Sequence, residues 1–149
     1  MGAEPWFYFV PYQEDIEKAL NELRVREFNA GRYNPVMDNL WMLFPIGPNS
    51  PSPGTQHRSI DEALLAGDAD GTRSILDMLK VSEEPDYSAV CPMDEETLDA
   101  VFGTRQPTHD MALDNQDFFE DIERGQGVYA IIYKDGKPDE ILFAGYSFD

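Results

Sequence analysis

Val128-Tyr129-Ala130-Ile131-Ile132-Tyr133, Lys134-Asp135-Gly136-Lys137-Pro138 and Glu140-Ile141-Leu142-Phe143-Ala144 are the stretch that decides the fold. Two runs rich in β-branched and aromatic residues flank a turn in which Asp135-Gly136 tolerates positive φ. The stretch therefore reads as a β-hairpin. Near the start of the chain, Trp6-Phe7-Tyr8-Phe9-Val10 has the same character and stops at Pro11. Its unbroken apolarity predicts a strand covered on both faces, and it is expected to join the terminal hairpin in one sheet.

Helical signals fill the middle. Ile16, Ala19, Leu20 and Leu23 recur at helical spacing, and Glu14, Asp15 and Glu17 sit where the positive end of a helix dipole favours acids. Together they predict a helix from Gln13 to Ala30, ended by Gly31. Ser59-Ile60-Asp61-Glu62 is a capping box opening a short helix that closes at Ala66-Gly67. Asp94 caps a helix carrying Leu98, Val101 and Phe102 before Gly103. A further helix is expected from Asn115 to Arg124, with Phe118, Phe119 and Ile122 apolar.

Ser74 to Val81 reads as a strand, with a helical turn as the alternative. Val36 to Ile46 is too apolar for a free loop, although its spacing does not separate strand from helix. Pro45 to Gly54 cannot make regular backbone hydrogen bonds and reads as an exposed loop. Strands at both ends with helices between them predict an α+β fold. Its antiparallel or mixed sheet holds the N-terminal strand and the C-terminal hairpin, with about four helices packed against it. Residues 1–149 are read as a single acidic domain.

The 149 residues include 29 Asp and Glu against 11 Lys and Arg, a formal net charge of −18 at pH 7. Nine Phe, seven Tyr and two Trp argue for a packed core rather than disorder. A field of this sign repels phosphate backbones and anionic headgroups, so neither nucleic acid nor membrane is expected as a partner. It would steer a basic protein inward; it also serves solubility, or life at high salt. Cys91 is the single cysteine, so no intramolecular disulfide is possible. With no signal-peptide pattern and no apolar run of spanning length, the expected location is cytoplasmic.

Motifs for chemistry are sparse. The nucleophile elbow, the phosphate loop and the dinucleotide fingerprint are all missing, and no catalytic residue, cofactor or metal is assigned. Asp68-Ala69-Asp70-Gly71 fits the middle of a calcium loop. Its register, however, puts Ala66 and Asp77 where a carboxylate and a bidentate Glu belong. His57 and His109 lie in polar, proline-containing loops beside Arg58 and Asp110, and loops that meet would make an acid–base pair. The scarce arginines favour glycine turns: Gly31-Arg32, Gly71-Thr72-Arg73 and Gly103-Thr104-Arg105. Arginine beside turn amides suits an anion, or ties a loop to a carboxylate.

The leading expectation is a non-enzymatic acidic binding protein, inhibitor-like or immunity-like, that takes a basic protein partner through acidic and tyrosine-rich surface. The alternative is a small-molecule anion-binding or enzymatic site formed by the proline-rich loop with His57, Arg58, Arg73, Arg105 and His109. A third reading is a homo-oligomer built through exposed terminal strands.

Overall fold

Successive residues of a strand point to opposite faces, and the first strand uses both. The computed structural model describes residues 3–148. In it β1 (Pro5–Pro11) buries Trp6, Tyr8 and Val10 in one core and Phe7 in another. β4 (Gly127–Lys134) and β5 (Lys137–Tyr146) are the expected hairpin, and β1 pairs antiparallel with β5, Tyr8 facing Phe143. The turn is tighter than the five residues read from sequence. Lys134 pairs with Lys137, leaving Asp135 and Gly136 at φ 53° and 76°, the primed geometry that matches strand twist.

Two further strands complete the sheet: β2 (Lys80–Val81) and β3 (Ala89–Pro92). The order is β1-β5-β4-β3-β2, with β3 parallel to both β2 and β4, so the sheet is mixed. Helix α1 (Ile16–Ala30) covers one face through Ala19, Leu20 and Leu23. The other face packs beneath Met93, Ala112, Phe118 and Phe119. Helices α2 (Ile60–Gly67), α3 (Glu95–Phe102) and α4 (His109–Asp114) complete the four described helices. No helix among the described residues is long and apolar enough to cross a membrane.

Several boundaries move for local reasons. Asp15 caps α1 by accepting from the Lys18 amide at 3.0 Å, so the helix starts at Ile16 rather than Gln13. In the capping box, Ser59 Oγ accepts from the Glu62 amide, while the Glu62 carboxylate reaches back to the Arg58 amide. Ser74 to Val81 is not one strand. Ser74 Oγ captures the Leu76 amide and starts a 3₁₀ turn (Ile75–Asp77), leaving only Lys80–Val81 in the sheet. Val36 to Ile46 contains a 3₁₀ turn at Leu40–Leu43. The helix expected from Asn115 to Arg124 shrinks to a 3₁₀ turn (Asp117–Asp121). The preceding loop instead holds α4, capped by Thr108.

Phe44, beyond the 3₁₀ turn at Leu40–Leu43, sits 5.4 Å from the Phe7 ring and 5.1 Å from the Tyr8 ring, centroid to centroid. Those two rings belong to opposite faces, so Phe44 lies against the unpaired side of β1 and touches both cores.

Charge is buried at the far end of α1. Arg32 Nε and Nη2 donate to Glu27 Oε1 and Oε2 at 2.8 and 2.6 Å, with Glu27 fully buried. Arg32 Nη1 donates to Ser52 Oγ at 2.7 Å and the Gly54 amide donates to the Ala30 carbonyl at 2.9 Å, which straps the proline loop to the helix end. Gly31 makes this approach possible. Its φ is 75°, and a Cβ there would stand 2.5 Å from the Gly54 carbonyl oxygen. Nearby, buried Asp77 Oδ1 accepts from the Thr72 amide and hydroxyl at 2.8 and 2.9 Å.

Candidate functional site

The five residues singled out by sequence have separate surroundings. His57 Nδ1 meets the Tyr33 hydroxyl at 2.5 Å, on the inner side of the proline loop. Arg58 is exposed at the start of α2. Arg73 faces Glu4 at 3.7 Å. Arg105 pairs with Glu95 and with Asp99 on its own side of the sheet, all three solvent-exposed. His109 is not in a loop but opens α4; its Nδ1 lies 2.8 Å from Glu140 Oε1, and its ring lies tilted against Phe9, centroids 4.0 Å apart. Arg73, Arg105 and His109 thus each answer a carboxylate on a different element, the arrangement in which an arginine ties down a loop.

Where acids outnumber bases, a different feature appears. A cleft of about 470 Å³ opens beyond the carboxyl ends of β2 and β3. That is the edge of a parallel sheet where side chains from successive loops converge. Glu83 and Glu84 follow β2, Asp94 and Glu95 follow β3 into α3, and Asp121 ends the 3₁₀ turn opposite. All five carboxylates are exposed at the rim. The floor is apolar: Cys91, Met93 and Phe118 are buried, with Ile122 and Val128 half-buried beside them. No lysine or arginine lines the cleft among the described residues, although Arg105 pairs with Glu95 from outside it.

Local hydrogen bonding shapes this rim. Asp94 accepts from the Thr97 amide at 2.7 Å, and the Thr97 backbone and hydroxyl together hold its carboxyl below the usual carboxylate range. The positive end of α3 is thereby answered from within the chain. Thr97 Oγ1 lies 3.3 Å from Asp121 Oδ2, across the cleft mouth. On the floor, burial and then the charges of Glu84 and Asp94 push the Cys91 thiol up, so it stays protonated. A nucleophilic thiol needs the opposite field.

This arrangement selects against anions, whose approach five carboxylates oppose. No three His, Cys, Asp or Glu side chains among the described residues converge closely enough to hold a metal ion. An apolar floor of Met93, Phe118 and Val128 beneath a carboxylate rim has the chemistry that suits an organic cation with an apolar stem. The sequence carried one signal of this, the acid pairs Glu83-Glu84 and Asp94-Glu95 flanking an apolar run. Composition alone assigned them to a general solvated coat. No family model matches the chain, and neither does any curated protein or any solved structure.

Proposed function

We propose that this is a non-enzymatic binding protein that captures a basic protein by seating a lysine or arginine side chain in the acidic cleft. The observation that carries the reading is the pairing of an apolar floor with a rim of five carboxylates and no lining cation. The net charge of −18 extends the attraction beyond the cleft and accelerates encounter with a basic surface. The same field disfavours nucleic acid. A cytoplasmic setting agrees with a lone cysteine kept as a buried thiol.

The test is affinity capture from native lysate at about 0.1 M and about 1 M salt, between which the screening length falls from roughly 10 to roughly 3 Å. Wild type is compared with a Glu83→Lys/Glu84→Lys/Asp121→Lys variant, whose changes are all at exposed positions. The expected result is a basic protein recovered by wild type at low salt, lost at high salt and lost with the variant. Recovery of nothing specific, or of a partner indifferent to both changes, ends the reading.

A further inference from the structure

A second concavity has the opposite character. On the face of the sheet away from α1, a groove of about 620 Å³ runs past the start of β1 and the end of β5, within the size range of small-molecule sites. Phe7, Trp41, Phe44, Phe119 and Tyr146 line it, and Glu4 is the one charged side chain in its wall. Trp41 is 54% exposed, a large apolar surface left open, with no aromatic ring paired to it among the described residues. Glu4 is partly buried: Oε1 faces Arg73 at 3.7 Å, while Oε2 is out of solvent with no hydrogen-bond partner among the described residues.

We infer that this groove is a binding site for a small quaternary ammonium. Three considerations select that chemistry. Aromatic faces attract a cation through their quadrupole, and Trp does so most strongly. The net charge of the molecule opposes an anion, and the wall holds no cation to receive one, its single charged residue being Glu4, whose partner Arg73 lies outside the lining. A primary ammonium would surrender tightly held water to a wall with few polar atoms to replace it. Alkyl groups around the nitrogen remove that cost and place methyl and methylene surface against the rings. The groove shares no lining residue with the acidic cleft, so the two sites stand or fall independently.

The probe is choline, titrated by calorimetry and by tryptophan emission. Trp6 is fully buried, which leaves Trp41 as the solvent-facing reporter. Two comparators are run alongside: 3,3-dimethyl-1-butanol, which replaces the charged nitrogen with carbon, and ethanolamine, which strips its methyl groups. Saturable choline binding is expected, at least about tenfold tighter than either comparator. Trp41→Ala should weaken it about tenfold or more, Trp41→Phe less, and Glu4→Gln several-fold. Trp41 is exposed, so its variants should keep the wild-type far-ultraviolet dichroism and denaturation midpoint, checked for each variant, and the Trp41 variants are titrated by calorimetry. The inference is overturned if choline fails to saturate by about 20 mM, a weak limit on the affinity scale. It is equally overturned if the neutral isostere binds within threefold of choline, or if folded Trp41→Ala binds as wild type does.

Discussion

The two ends of α1's sheet layer and α3's cleft treat charge in opposite ways. At the C-terminal end of α1, Glu27 is fully buried and Arg32 nearly so, each bonded to the other through two contacts. At the start of α3, five carboxylates surround one opening, every one exposed, and only Glu95 is answered by a cation, Arg105, which stands outside the cleft lining. Burying an ion demands a partner, because desolvation costs several kcal/mol; an ion left in water tolerates having none. The comparison teaches where to look for function in this chain. Arg32, Arg73 and Arg105 are each held by a carboxylate of the chain, and the excess charge left at the surface is negative.

Breaking the buried pair gives the largest expected effect. Arg32→Ala leaves Glu27 in the core with only Arg26, which is half-exposed, bonded to one oxygen at 2.9 Å. A loss of about 3–5 kcal/mol in urea denaturation is expected. The double change Glu27→Leu/Arg32→Met should cost clearly less, because no orphaned charge remains. Equal losses in both variants would show that the strap, rather than the charge, sets the stability.

Gly31→Ala tests the strap by itself. Positive φ penalises any Cβ by about 1–2 kcal/mol, and the Gly54 carbonyl adds a backbone clash. Gly103→Ala is the control, since its φ is 69° but nothing lies within 4 Å of the added Cβ. The difference between the two midpoints measures how tightly the proline loop is held, and equal midpoints would mean that it yields.

Asp77 sharpens the comparison through pH. Burial pushes its carboxyl above the ordinary value, against the hydrogen bonds from Thr72 that favour the anion. The folded state therefore holds this proton more tightly than the unfolded chain does. From the ordinary carboxylate value of 3.8 upward, the unfolded chain ionises first and the fold loses stability until the folded group ionises too. Asp77→Asn should remove that component, so its denaturation midpoint should fall less than wild type's as pH rises from about 4 to about 7. Parallel profiles would show that Asp77 is ionised in the fold throughout.

At the rim the smallest effect is expected. Glu84→Gln removes one of several like charges and should shift stability by no more than about 0.5 kcal/mol, toward greater stability at low salt. A marked loss would mean that Glu84 supports the fold and that the cleft is not free to bind.

Much of the fold was legible because its signals are local. Asp135-Gly136, the caps at Ser59 and Asp94, and the stops at Gly31 and Gly103 each act within a few residues, and each appears in the structure. β3 escaped because four residues, Ala89–Pro92, are too few to show a period. α4 escaped because its six residues, three apolar and three polar, are too few to show a helical period, and only the Thr108 cap marks it. The cleft was invisible for a different reason. Its walls come from residues 83–85, 91–95, 97, 118, 121–122 and 128, which the parallel pairing of β2, β3 and β4 helps bring together. Such pairing depends on contacts distant in sequence.

Phe44 has one more consequence, for how this protein coexists with copies of itself. β1 is seven residues long and ends the sheet, so its outer backbone groups form a template on which another chain's strand can grow. The Phe44 ring stands in the place that strand would take. Replacing it with a small residue would uncover the template, and the first symptom would be turbidity and fibre growth in a concentrated sample rather than a lost ligand.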